Sequence, residues 1–338
     1  MIFLTGGTGM VGAHLLLDLT RSGVKVRALK RKNSDLTTVE KIFSWYTENS
    51  KELFRKIEWI EGDLLDPLSL KNAMEGADYV IHAAAKVSFL PSDRNAMLYD
   101  NVEGTANLVD VALELKLKRF CHVSSIAALG NNDSGLPVNE AFSWKNDSLR
   151  SAYSESKFQS EMEVWRGIEE GLECVIVNPS VILGPGKWNN GSPRLFQTVA
   201  KGMKFYTSGS TGFVDVRDVS RAIATLIQSE DWETFKNQRF VLSAENISYR
   251  ELFEMIAVAL NQPQATIRAN RILLQLAWRA SQLTSLFTGK DPALTRDTAR
   301  SAGKESLYDG SKISSVIGFE YTPIAATIRD IGRIFLSE

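Results

Sequence analysis

Tyr153 and Lys157 stand four residues apart in Ser151-Ala152-Tyr153-Ser154-Glu155-Ser156-Lys157, a spacing that on a helix puts both side chains on one face. An ammonium beside a phenol favours phenolate, so Lys157 is expected to draw the Tyr153 pKa down from its reference of about 10 toward a working acid/base range. Upstream, Ser124-Ser125 closes the apolar run Arg119-Phe120-Cys121-His122-Val123, where a hydroxyl could hold a substrate oxygen. The three histidines read otherwise. His82 and His122 lie inside strand-like runs and His14 on a helix, so all three are expected to be structural, and no His, Cys or carboxylate cluster has metal-ligand spacing.

These groups need a cofactor and a scaffold, and the beginning of the chain supplies a candidate for both. Met1-Ile2-Phe3-Leu4 reads as a buried parallel strand, Ala13 to Leu19 as a helix, and Thr5-Gly6-Gly7-Thr8-Gly9-Met10-Val11-Gly12 as the turn between them. Glycines let such a turn approach a pyrophosphate, and the helix N-terminus receives its charge. Two registers fit, Gly7/Gly9/Gly12 and Gly6/Gly9/Gly12. Val24 to Leu29 reads as the second strand, followed by Lys30-Arg31-Lys32, with the first acid, Asp35, only beyond the bases. A ribose-binding acid suits NAD and an arginine suits a 2′-phosphate, so NADP(H) is favoured over NAD(H), with Arg31 the best candidate. Asp63, directly after the strand Ile57 to Glu61, is a candidate for the adenine amino group, whereas Asp66 before Pro67 reads as a helix entry. Ala83, Ala84 and Ala85 end a fourth strand with side chains small enough for a ligand to approach.

The sequence resembles the extended branch of the short-chain dehydrogenase/reductase superfamily across nearly its whole length. The resemblance is carried by the Thr5 to Gly12 turn, Gly62-Asp63-Leu64, His82-Ala83-Ala84-Ala85, Asn101-Val102-x-Gly104-Thr105, Val123-Ser124-Ser125 and Tyr153-x-x-x-Lys157. Pro179-Ser180-Val181-Ile182-Leu183-Gly184-Pro185-Gly186 and Phe213-Val214-Asp215-Val216-Arg217-Asp218-Val219 add to it. It implies Ser125, Tyr153 and Lys157 as the catalytic set, Tyr153 exchanging a proton with the substrate oxygen and Lys157 also bonding the nicotinamide ribose. It implies a cofactor site made of Gly6, Thr8, Gly9, Met10, Val11, Gly12, Arg31, Asp63, Leu64, Ala83, Ala84, Ala85, Asn101, Tyr153, Lys157 and Pro179, and it supports the Gly6/Gly9/Gly12 register. The implied fold is α/β: a doubly wound parallel Rossmann sheet over residues 1–178 and about 210–244, with a smaller, discontinuous substrate region over about 179–209 and 245–338.

Ile126-Ala127 after Ser125, where sugar-nucleotide 4,6-dehydratases resemble one another in an Asp-Glu pair, argues against dehydration. Val26 to Arg31 and Ser156-Lys157-x-x-Ser160-Glu161 look more like the dihydroflavonol-reductase and 3β-hydroxysteroid-dehydrogenase side of the branch. The reading is an NADP(H)-dependent oxidoreductase acting on a carbonyl or hydroxyl of a small or medium organic molecule. An NAD-dependent sugar-nucleotide epimerase is second, and a non-catalytic dinucleotide sensor, which would need no proton donor, third.

The 338 residues are 44% hydrophobic and 23% charged, with a formal net charge of -1, which is ordinary for a globular protein and gives no sign of nucleic-acid binding. Cys121 and Cys174 sit in apolar strand-like runs and are expected to be reduced core residues, consistent with a cytoplasmic setting. The first strand begins too early for a leader, and Ile272 to Phe287 is too short and too polar for a membrane span. That segment is expected to be a helix packed in the small domain, ahead of an apolar lid or a membrane-surface contact. Lys187 to Ser192 is a candidate gating loop, and the resemblance implies a homodimer paired through helices near 94–117 and 151–169.

Overall fold

The computed structural model describes residues 1–130, 135–142, 144, 150–288 and 295–338. The chain alternates strand and helix: β1 (Ile2–Thr5), α1 (Met10–Arg21), β2 (Val26–Lys30), α2 (Thr37–Tyr46), α3 (Ser50–Arg55) and β3 (Glu58–Glu61). It continues with α4 (Pro67–Met74), β4 (Tyr79–His82), α5 (Arg94–Glu114), β5 (Arg119–Val123), α6 (Ala152–Glu169) and β6 (Cys174–Pro179). Punctuation follows side-chain chemistry. Asp66 caps α4 by accepting from the Leu68 and Ser69 amides ahead of Pro67 at the first turn.

These six strands pair in parallel in the order β6-β5-β4-β1-β2-β3, and β10 (Gln238–Leu242) joins beyond β6 as a seventh. Helices cover both faces, so the strands are apolar on both sides. Ile2 and Leu4 join Leu15 of α1 and Val39 of α2 in one core, while Phe3 joins Leu70, Leu108 and Val164 of α4, α5 and α6 in the other, the two-residue alternation of a strand buried on both faces. Strand order reverses between β1 and β4, the switch point where doubly wound sheets bind ligands.

After β6 the chain runs through β7 (Val181–Leu183), α7 (Pro193–Ala200), β8 (Phe205–Tyr206), β9 (Ser210–Asp215), α8 (Val216–Gln228) and α9 (Trp232–Phe235) to β10. It ends with β11 (Glu245–Ser248), α10 (Tyr249–Ala259), β12 (Ile267–Arg268), α11 (Arg271–Thr288), α12 (Arg296–Ser301), α13 (Ser311–Ile317) and α14 (Ile324–Leu336). Ser248 and Glu251 form the capping box of α10.

Three details depart from the sequence reading. β9, expected within the dinucleotide half, pairs instead with β7 and β11 in a separate three-stranded sheet, because Phe213 packs into a third core with Leu183, Phe196 and Leu252 while Val214 faces the first. Near the other end, Ile313 and Phe319 return to the first core, although 245–338 is expected to form the substrate region. Finally, α11 is a helix but not a packed one. Ile272 is 71% exposed and Leu276 58%, because its contacts fall on α12 and the half-buried Leu274 and Trp278 take the inner side.

Candidate functional site

Strand β5 and helix α6 bring the reacting side chains together. Ser151 caps α6, its hydroxyl accepting from the Ser154 amide at 3.1 Å, and the first turns present Tyr153 and Lys157. Lys157 is buried, and its Nζ donates to the Val123 carbonyl at the end of β5 at 2.8 Å. Ser125 leaves β5 in extended conformation and accepts from the Ala127 amide at 3.1 Å, and its hydroxyl lies near enough to the Tyr153 phenol to act on its acidity. Phe89 lies edge-on to Tyr153 with ring centres 5.6 Å apart.

The two serines are held differently. Ser124 is buried and donates to Glu161 Oε2 at 2.6 Å. The same carboxylate oxygen accepts from Asn178 Nδ2 at 2.8 Å, and Asn178 also donates to the Ser125 carbonyl at 3.1 Å. Glu161 Oε1 accepts from Trp165 and from Arg239, 3.1 Å away. Arg239 in turn donates to the Glu140 and Phe142 carbonyls. A buried ion pair thus anchors the peptide that carries Ser125 to the loop beside the site. In the sequence Glu161 stands out only within Ser156-Lys157-x-x-Ser160-Glu161, four residues after Lys157. Phe89 and Arg239 do not stand out there at all.

Burial dominates the electrostatics. It raises the Tyr153 pKa, with the Ser125 hydroxyl opposing, and it lowers that of Lys157 to about 8, with Glu161 opposing. The expected net depression of the Tyr153 pKa is therefore not seen, because burial of the phenol outweighs the groups that favour phenolate. Tyr153 is held as the neutral phenol, a proton donor at neutral pH.

The glycine turn lies at the carboxyl end of β1. Gly6 has φ +75°, and a Cβ there would meet the Ala84 nitrogen at 2.5 Å, while one on Gly12 would meet the Gly6 oxygen at 2.1 Å. Gly9 donates to the Gly6 carbonyl at 2.9 Å, and the ladder of α1 starts with Ala13 donating to Gly9. The amides of Met10, Val11 and Gly12 therefore have no intrahelical acceptor, and exposed Gly9 and half-buried Thr8 leave the turn accessible. Gly12→Ala should cost at least about 2 kcal/mol through forced backbone displacement and weaken dinucleotide binding; an unchanged melting temperature and NADPH titration would contradict this.

On the far side of β2, a cleft of about 740 Å³ is lined by Arg31, Lys32, Ser34 and Asp63. The Arg31 amide donates to Ser34 Oγ, Lys30 pairs with Glu61, and Asp63 closes a turn by accepting from the Leu65 amide. Leu64 lies against Gly104 of α5, where a Cβ would meet it at 3.0 Å. Ala83 to Ala85 follow β4 directly beside Gly6. Asn101 exchanges two hydrogen bonds with the Lys86 backbone and donates to Ser156, so its side chain fixes the loop after β4 to α5 and α6. Pro179 is the buried last residue of β6. The glycine cradle, the unpaired helix amides and the cleft beyond β2 fit a dinucleotide along the carboxyl ends of β1, β2 and β4.

All three histidines are buried. His82 lies between the Thr5 and Thr105 hydroxyls, 2.7 and 3.0 Å away, and His14 between the Met10 carbonyl and the Tyr46 hydroxyl. Cys121 and Cys174 are buried free thiols. Among the described residues no group of His, Cys, Asp or Glu could hold a metal, and no helix is long and apolar enough to cross a membrane. Lys187 to Ser192, the candidate gate, is pinned. Trp188 packs against Trp45 and Phe335 and donates to Glu338 at 2.6 Å.

Residues 2–238 match the model of the NAD dependent epimerase/dehydratase family. The chain belongs to this family. It is one of the NAD(P)-dependent enzymes of the extended short-chain type. Over 334 residues it is 29% identical to a Synechocystis protein carrying the provisional name dihydroflavonol 4-reductase, covering 97% of this chain and 92% of that one. It is also 29% identical over 333 residues to sterol demethylase protein B of Methylococcus capsulatus, covering 97% and 95% of the two chains. The crystal structure of gox2253 superposes with a TM-score of 0.80 at 28% identity, covering 100% of this chain and 98% of that one.

Proposed function

We propose that this family member is an NADP(H)-dependent reductase or dehydrogenase that interconverts a carbonyl and a hydroxyl on a small or medium organic molecule. The observation that carries the reading is the Tyr153 phenol, held neutral beside the Ser125 hydroxyl, with buried Lys157 one helical turn away. When bound, the nicotinamide supplies or accepts the hydride. The chain's own residues handle the charge and the proton. As negative charge grows on the substrate oxygen, Ser125 and Tyr153 donate to it, and such pre-placed donors act most strongly in the transition state. Tyr153 then gives up its proton, and Lys157 stabilises the phenolate left behind. Phe89 gives the site an apolar wall, and relatives named for dihydroflavonol and sterol chemistry agree with a ring compound of some bulk.

Arg31 and Lys32 in the cleft beyond β2 support NADP(H), and among the described residues the Arg31 side chain enters no ion pair. A charge-assisted hydrogen bond contributes about 1.5–3 kcal/mol. Arg31→Ala should therefore weaken NADPH binding roughly ten- to hundredfold and leave NADH binding unchanged; wild-type protein that binds NADH as well as NADPH would remove the argument. A screen of ketones and nucleotide sugars tests the reaction: net ketone reduction supports the reading, and redox-neutral sugar conversion would replace it with the epimerase. The same reading takes the protein to be a cytoplasmic homodimer, with exposed Tyr99 on α5 and Met162 on α6 available for the pairing; a monomeric mass in solution would count against it.

A further inference from the structure

Helix α11 turns apolar side chains to solvent. Ile272 and Leu276 occupy successive turns of its outer side, and Leu273 is exposed beside them. Just before the helix, Ile267 of β12 pairs in register with Phe205 of β8, and both are nearly half exposed. The charges in these segments are predominantly basic. Residues 255–288 contain Arg268, Arg271 and Arg279 but no Asp or Glu, and residues 193–209 contain Arg194, Lys201 and Lys204 and again no acid; of the acids on the neighbouring α10, Glu254 is paired with Arg250 and Glu251 is engaged in the capping box. Among the described residues, Lys201, Lys204, Arg268 and Arg279 form no ion pair. The adjoining α12 contributes Arg296, Asp297 and Arg300, so it does not reverse the sign.

We propose that α11, with the β8 and β12 ribbon beside it, docks on the surface of an anionic lipid bilayer. The helix would lie in the interface, with Ile272 and Leu276 at the acyl boundary and the arginines and lysines among the headgroups. An amphipathic helix with a basic polar side binds in this way, drawing on apolar burial and on attraction to acidic lipid. Charge argues against a second copy as the occupant: a two-fold contact would set this basic patch against itself. The helix lacks the length and apolarity to cross the bilayer, so it rests on the surface.

The test is co-sedimentation of the full chain with vesicles of phosphatidylcholine alone or mixed with phosphatidylglycerol, at low and high salt. Binding should require phosphatidylglycerol and weaken as salt screens it. Ile272→Ser with Leu276→Ser should reduce partitioning roughly tenfold for each side chain, and Arg268→Gln with Arg279→Gln roughly fivefold for each charge. Both double variants should melt at the wild-type temperature. No binding, equal binding to the two vesicle types, or a concentration-dependent dimer abolished by the serine variants in the absence of vesicle binding would each overturn the proposal.

Discussion

Tyr153→Phe is expected to lower turnover by about 10²- to 10⁴-fold, the usual contribution of a positioned general acid, while NADPH binds with its wild-type affinity. The phenol touches the reacting oxygen in the proposed reaction, whereas the cradle, Asp63 and Arg31 lie at the carboxyl ends of β1 to β3 and take the phosphates and adenosine end of the cofactor. Steady-state rates with a reducible ketone and a fluorescence titration with NADPH separate the two quantities, and a near-normal rate would remove Tyr153 from the mechanism. The pH profile should carry a matching signature. Lys157 has a pKa of about 8 in the folded protein, so its charge is present at pH 7 and is lost as pH rises through that value. Reduction should decline on the alkaline side as the phenolate loses its cation. Lys157→Met should abolish that limb along with most of the activity.

The same burial has a cost in stability. The folded pKa of Lys157 lies below the unfolded value of about 10.4, so the unfolded chain holds the extra proton between about pH 8 and 10.4. Stability therefore rises with pH across that window as this group's penalty is relieved. A lysine kept buried beside a reacting phenol at such a cost is the pattern of a functional site, and it agrees with the loss of activity expected for Lys157→Met.

Sequence could deliver the scaffold because each element is specified locally. The β1 run is apolar on both faces, the turn needs glycine at Gly6 and Gly12, and Asp66-Pro67 starts a helix by its own chemistry. Tyr153 and Lys157 were legible because helical spacing alone places them together. Contacts between distant segments were not. The Glu161 carboxylate meets Ser124, Asn178 and Arg239 only after β5, β6 and β10 have paired, and nothing in the spacing of those residues announces a buried ion pair. The electrostatic sign at Tyr153 was missed for a related reason. Sequence proximity suggests that Lys157 sets the acidity of the phenol, but the fold desolvates the phenol, and in the resting site that desolvation outweighs proximity. The apolar spacing of α11 is that of any packed helix, and among its described residues only the exposure of Ile272, Leu273 and Leu276 distinguishes it.

Acidification should destabilise the protein before its carboxylates as a class are protonated. His14 and His82 are buried with pKa values lowered to about 4 and about 3, and His122, whose two ring nitrogens have no hydrogen-bond partner among the described residues, is lowered in the same direction. Desolvation is the main cause in each. In the unfolded chain these rings take up protons near pH 6.5, so the unfolded state binds more protons than the native state between pH 6.5 and 4, and stability falls as pH drops through that window. At pH 5 the loss is about 2 kcal/mol each for His14 and His82, and His122 adds to it. Burial also raises the pKa values of Asp18 and Asp218, which opposes the effect only as those carboxylates begin to protonate. Against a total stability of about 5–15 kcal/mol for a folded protein, a loss of this size should be visible as a marked fall in the urea midpoint between pH 7 and pH 5. His122→Leu removes one titrating ring and its two unpartnered nitrogens, and should make the decline shallower. A midpoint that does not change between pH 7 and pH 5 would show that the three rings are not held neutral.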